Sequence, residues 1–350
     1  MEGLFMKKII GVIMSLVMVM SVLTACGQGS KQTPGGDGTA AGKLRTGFAV
    51  ISSVAKSTDA GDKEGLAQID STVAAVTVDA QGKITNCVFD AVQTKINFSA
   101  DGKIVTPLDT VVRTKQELKT DYGMIRASGI GKEWNEQADA FAEYVKGKTI
   151  EEVKGIALNE TGAPAVAELS SSVTMHVDNL IAVLEKAVGN AQALGAEAGD
   201  KLGLGIVTTI DKSADATADK DGLAQAYSMY TATTFGADGK ITSSIIDASQ
   251  SNVNFNAMGQ ITTDLTNAVL QTKNELGDQY GMRKASGIGK EWNEQAAAFA
   301  EYVKGKTASE VSGISLNEEG APAEAELASS VTVHVNDFIA VIEKASKNAR

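Results

Sequence analysis

ASGIGKEWNEQADAFAEYVKGKT, residues 127–149, returns at residues 285–307 with one change, Asp139 becoming Ala297. Self-similarity at a fixed offset decides the architecture before any single element does. Thr332 follows Thr174 by 158 residues; each stands in Ser-Ser-Val-Thr, and each is followed two positions later by His176 or His334, the only two histidines. Upstream, Gly47 matches Gly205 at the same offset, whereas Gly82 matches Gly239 and Asn97 matches Asn254 at one residue less, which marks small insertions or deletions between the copies. A period of about 150 residues is a domain and not a solenoid unit, and a copy of that size can bury its own core. The copies are expected at 44–191 and 202–350, with 192–201 as a linker.

Within each copy the first half reads as strands. Residues 73–78 and 84–89 are rich in β-branched side chains and flank Asp79, Ala80, Gln81 and Gly82; residues 230–235 and 241–246 flank Gly236, Ala237, Asp238 and Gly239 in the same way. Turn residues between such runs predict hairpins. A second turn, ending at Gly102 in one copy and Gly259 in the other, extends each hairpin to a meander of three or four strands. The second half reads as helices. Trp134, Ala138, Phe141 and Val145 form one apolar stripe at helical spacing, repeated by Trp292, Ala296, Phe299 and Val303. Thr149 with Glu152 has capping-box spacing. The last helix of the copy is expected to start in the Ser-rich cluster and to run to about Ala187, carrying Val173, Val177 and Leu184 inward, with Lys186 and Lys344 favourable to the dipole at its end. Strands followed by helices predict an α+β fold: two tandem copies of a small antiparallel sheet packed with helices.

The N-terminus reads as an export signal. Lys7 and Lys8 precede an apolar run at 9–22, and Leu23, Thr24, Ala25 and Cys26 close it. The pattern resembles a bacterial lipoprotein signal over 1–25, which implies cleavage after Ala25, lipidation of Cys26 and attachment to a lipid bilayer on the outer face of the cell membrane. Residues 26–43 read as a flexible tether of small and polar residues. The other cysteine, Cys87, has Ser244 as its counterpart in the second copy; no metal site of the Cys-rich kind can form, and Cys87 reads as a strand residue packed in a core. A net charge of −11 argues against nucleic acid as a partner.

With Ser172 as N-cap, Thr174 would stand at N2 of the last helix, where free N–H groups and the dipole favour an esterified anion. Ser171, Ser172, Val173 and Thr174, and likewise Ser329, Ser330, Val331 and Thr332, resemble the Ser-Gly-Ala-Thr signature of the FMN-binding domain family. The motif departs from that signature where Ser172 and Ser330 replace Gly and Val173 and Val331 replace Ala. Together with the GKEWNEQADAFAEYV block, the lipoprotein signal and the duplication, it is similar to the doubly flavinylated electron-transfer lipoproteins of Gram-positive bacteria. The resemblance implies covalent FMN on Thr174 and Thr332, a phosphoester installed by a separate Mg²⁺-dependent flavin transferase, with Ser171, Ser172, Ser329 and Ser330 beside it. It further implies a membrane quinone-linked electron donor and an extracellular acceptor such as ferric iron.

No constellation of nucleophile, base and orienting group stands out, so an electron carrier is expected before an enzyme with its own turnover chemistry. His176 and His334 read either as groups near the flavin or as solvated helix residues, and Trp134 and Trp292 as core residues before stacking partners. Two other readings stay open: a solute-binding lipoprotein of a transporter, and a precursor whose signal segment releases a signalling peptide.

Overall fold

A computed structural model describes residues 42–350; the export signal, Cys26 and the tether up to residue 41 lie outside them. In the first copy β1 (Arg45–Ser53), β2 (Gly65–Val78) and β3 (Ile84–Phe98) form an antiparallel sheet in the order β1-β2-β3. The β2–β3 hairpin turns at the expected residues. Gly82 takes a φ of 77°, and the Asp79 carboxylate accepts N–H groups from Gln81 and Lys83 at 2.9 and 2.8 Å. Then come α1 (Lys115–Leu118), α2 (Trp134–Val145), α3 (Ile150–Lys154), α4 (Ala167–Ser170) and α5 (Asp178–Gly189). The second copy repeats the series as β4 (Lys201–Thr209), β5 (Gly222–Phe235) and β6 (Ile241–Phe255), followed by α6 (Lys273–Leu276), α7 (Trp292–Tyr302), α8 (Ala308–Ser312), α9 (Ala325–Ala328) and α10 (Asn336–Asn348). The fold is α+β, with two tandem three-stranded sheets.

Burial explains which face each element shows. α2 buries the expected stripe of Trp134, Ala138, Phe141 and Val145, and adds Gln137 to it. At the start of α3 the Thr149 hydroxyl accepts the Glu152 N–H at 3.3 Å while the Glu152 carboxylate accepts the Thr149 N–H at 2.7 Å, the reciprocal cap its spacing predicts. Cys87 is buried on β3, as expected, and burial holds its thiol well above its usual range.

The last helix departs from expectation. α5 starts at Asp178, with Val177 before it, and α10 starts at Asn336; neither starts in the Ser-rich cluster. Ser172 is therefore no N-cap, and Thr174 does not stand in a helix's first turn. The serines close the preceding short helix instead: the Ser172 hydroxyl donates to the Leu169 carbonyl at 3.2 Å, and that of Ser330 to the Leu327 carbonyl at 3.2 Å. Serine hydroxyls compete for nearby backbone carbonyls as readily as they cap. Val173 and Val177 are buried as the helical spacing suggested, but from a turn, and Val331 and Val335 repeat them.

The repeat register also differs. Gly47 pairs with Val76, and Gly203 with Thr233, the residue equivalent to Val76; the counterpart of Gly47 is Gly203 and not Gly205. A Cβ on Gly47 would lie 2.1 Å from the Ala187 carbonyl oxygen, and one on Gly203 2.1 Å from that of Ala345. Each glycine is where the copy's long terminal helix presses its backbone onto the first strand.

Each sheet has a core of its own on its helical face: Ala74, Val76 and Phe89 with α2 and α5 in the first copy, Ile246 and Ala248 with α7 and α10 in the second. The opposite faces meet one another. Phe48, Val50, Val73 and Ala75 pack with Leu204, Ile206, Tyr230 and Ala232, and a further shared cluster centres on Phe98 and Phe255, whose rings stack at 4.3 Å. Alternate residues of β2 thus enter different cores. Residue 192, where the linker was expected to begin, exchanges backbone hydrogen bonds with Thr46, and Leu44 donates to the Ala196 carbonyl at 2.8 Å, so this connection lies along β1.

Candidate functional site

Thr174 stands in the turn between α4 and α5 and is exposed. Its N–H and that of Met175 both donate to the Gln137 side-chain oxygen, at 2.8 and 3.0 Å, and its hydroxyl donates to the same oxygen at 3.4 Å. Gln137 is fully buried on α2; its amide nitrogen donates to the Ser128 hydroxyl at 3.1 Å and the Lys132 carbonyl at 3.2 Å. A buried amide that meets all these partners ties the threonine turn rigidly to α2. The second copy builds the same device. Gln295 accepts the Thr332 N–H at 2.7 Å, its hydroxyl at 3.2 Å and the Val333 N–H at 3.2 Å, and donates to Ser286 and Lys290.

The sequence reading missed these glutamines. The signal was present: within the unchanged block, a polar residue three positions after the tryptophan falls on the apolar stripe of the helix, where burial obliges it to find partners. Thr174 borrows no free N–H from a helix end. Gln137 takes the place of a helix cap from across the fold.

Thr174 lies at the edge of a cavity of about 470 Å³, a size usual for small-molecule sites. Tyr122, Trp134, Lys56, Lys115, Thr72 and His176 are among its lining residues. The Lys115 ammonium sits 4.5 Å from the Tyr122 ring centre and 5.1 Å from that of Trp134, within cation–π range. No carboxylate lines the cavity, although Asp and Glu outnumber Lys and Arg by 43 to 32 in the chain. Its lining therefore favours an anionic, aromatic ligand. Trp134 is a core residue, only 7% exposed, and also forms part of the cavity wall. Trp292 is buried in the second core, and His334 is exposed.

Ser171 and Ser329 direct their hydroxyls to the carbonyls of Glu168 and Glu326, at 3.5 and 2.7 Å. None of Ser171, Ser172, Ser329 and Ser330 is brought to the cavity wall alongside Thr174. Among the described residues no group of His, Cys, Asp and Glu could hold a metal ion.

Behind each site a buried aspartate stands on the third strand. Asp90 accepts N–H groups from Ala91 and Gln116 at 2.7 and 3.1 Å, and Asp247 those of Ala248 and Asn274 at 2.7 and 3.0 Å. Burial raises both carboxyls to about 7; hydrogen bonds from Thr114 and Thr272 and from the backbone oppose that rise without cancelling it.

No family model matches the chain, and no solved structure matches it. Chlorophenol reductase of Desulfitobacterium hafniense is 54% identical over 41 residues, which is 12% of this chain and 12% of that protein. The chain thus spans only a small part of the length of that relative, and the similarity assigns it to no family.

Proposed function

We propose that the protein is an exported, lipid-anchored electron carrier with FMN esterified to Thr174 and Thr332. The observation that carries this reading is the same exposed threonine, held by the same buried glutamine, built twice at equivalent places. The cavity beside Thr174 supports it, because two aromatic rings and the Lys115 ammonium, with no carboxylate in the wall, suit a planar anion. Bound there, flavin supplies transfer of one or two electrons; the chain positions it and sets its surroundings. Lys115 would balance part of the charge of the phosphate, and Tyr122 and Trp134 would face the ring. A covalent bond suits a protein outside the cell, where a dissociated cofactor is lost by dilution. The donor in this reading is a membrane quinone-linked dehydrogenase, the acceptor ferric iron or another extracellular oxidant, and a flavin transferase loads the threonines. Anchorage rests on acylated Cys26; among the described residues no helix is long and apolar enough to cross a membrane.

The test is co-expression with a flavin transferase, followed by denaturation. Flavin absorbance should stay with the polypeptide at two equivalents, fall to one in Thr174→Ala and vanish in the double variant with Thr332→Ala. A colourless polypeptide in the presence of an active transferase would overturn the reading.

A further inference from the structure

The two threonine turns are alike, but the floors beside them are not. Register places Met229 where the first copy has Thr72, and Tyr227 where it has Asp70, two residues along and on the same strand face. On the terminal helices Phe338 stands for Leu180 and Asp337 for Asn179. In the first copy Thr72 lines the cavity and Asp70 turns to Lys56, its carboxylate 2.9 Å from the ammonium. In the second, Met229 is 2% exposed, and Phe338 is fully buried and meets the Trp292 ring edge-on at 5.5 Å. Tyr227 packs against the same core, and its hydroxyl accepts from the Lys273 ammonium at 3.3 Å.

Lys273 shows the consequence. Its counterpart Lys115 is half-buried over two rings, whereas Lys273 is 5% exposed and boxed by three, its ammonium 4.9, 4.6 and 4.9 Å from the centres of Tyr227, Tyr280 and Trp292. Burial lowers it to about 8, against the opposing pull of Asp247 and Asp337. An ammonium so enclosed has lost the water that Lys115 retains, which is what filling the floor of a cleft does.

We propose that the cleft beside Thr174 takes up a planar heteroaromatic ring without any covalent bond, whereas at Thr332 the side chains of Tyr227, Met229 and Phe338 hold the equivalent room, so that a ring attached there stays at the surface. The choice of ring rests on the flavin reading; the difference between the clefts does not. Under that reading the two cofactors occupy distinct surroundings, one sheltered and one open to partners.

The chain supplies its own reporters, since Trp134 and Trp292 are its only tryptophans and one stands at each site. Full-length protein made without a transferase is titrated with riboflavin, which has no phosphate to esterify. In Trp292→Phe, riboflavin should quench Trp134 saturably; in Trp134→Phe, quenching of Trp292 should be about tenfold weaker, the size of a lost aromatic contact. Tyr227→Asp with Met229→Thr should strengthen quenching at Trp292, and Asp70→Tyr with Thr72→Met should abolish it at Trp134. Should a tryptophan variant fail to fold, equilibrium dialysis of the unaltered chain should give one riboflavin per molecule. Equal quenching at both tryptophans, or two riboflavins bound or none, overturns the proposal. Absence of covalent flavin after denaturation would overturn the esterification reading alone and leave this result standing.

Discussion

A buried carboxyl titrates late, and Asp90 and Asp247 are such groups. Each is raised from 3.8 to about 7, chiefly by desolvation. Between those two values the folded chain keeps a proton that the unfolded chain has released. Stability from this source is therefore complete below the lower value and declines as pH rises through about 7, by on the order of a few kcal/mol. Asp90→Asn and Asp247→Asn retain an oxygen for the backbone N–H groups and remove the titration. Urea denaturation between pH 4 and 8 should show a smaller fall in stability in each variant and the smallest in the double variant; an unchanged slope would assign the pH dependence to other groups. Neither aspartate was legible from composition, because each is one carboxylate among many, and only the strand register shows that it points inward. The threonines were legible, since they repeat with their neighbours. Their glutamine partners were not, because a hydrogen bond spanning 37 positions leaves no local pattern.

Elements followed the sequence where local chemistry decides them and departed from it where contact decides them. Both hairpin turns, the stripe of α2 and the cap of α3 depend on residues within a few positions of one another, and all were readable. The start of α5 was not. Ser172 has the chemistry of a cap, but its hydroxyl finds the carbonyl behind it, and Gln137 supplies from outside what a cap would have supplied. The pairing of Gly47 with Gly205 failed for a related reason: two glycines stand close together in β4, and only the approach of α10 shows which one is the counterpart. That approach is testable. Gly47→Ala places a methyl group 2.1 Å from the Ala187 carbonyl oxygen and 2.9 Å from a Val76 methyl. α5 must move off the sheet, at a cost of about 2 kcal/mol or more in urea-measured stability. Gly129→Ala, with nothing within 4 Å and no positive φ, should be close to neutral. A Gly47→Ala protein as stable as the Gly129→Ala control would show that the helix does not press on this strand.

Across the whole molecule the contacts between copies are reciprocal, the signature of a two-fold arrangement within one chain. Lys186 pairs with Glu275, and its equivalent Lys344 pairs with Glu117 at 2.6 Å. The Asp215 carboxylate accepts the Ile104 N–H at 2.8 Å, and that of Asp59 the Ile261 N–H at 2.7 Å. Phe98 stacks on its own counterpart, Phe255. A copy taken alone would expose Phe48, Val50, Phe98 and Ile96 to water, an apolar face too large to leave bare. The same face is self-complementary: Lys186 of one molecule can meet Glu117 of another, Asp59 can meet Ile104, and Phe98 can meet Phe98. Residues 42–200 expressed alone should therefore sediment as a dimer, and Phe98→Asp should break the dimer and lower its helicity together. The undivided chain should unfold in urea in a single transition, because the inner faces of its two sheets form one shared core. A stable, monomeric half with native circular dichroism would mean that the shared core contributes little, and that each repeat stands on its helical core alone.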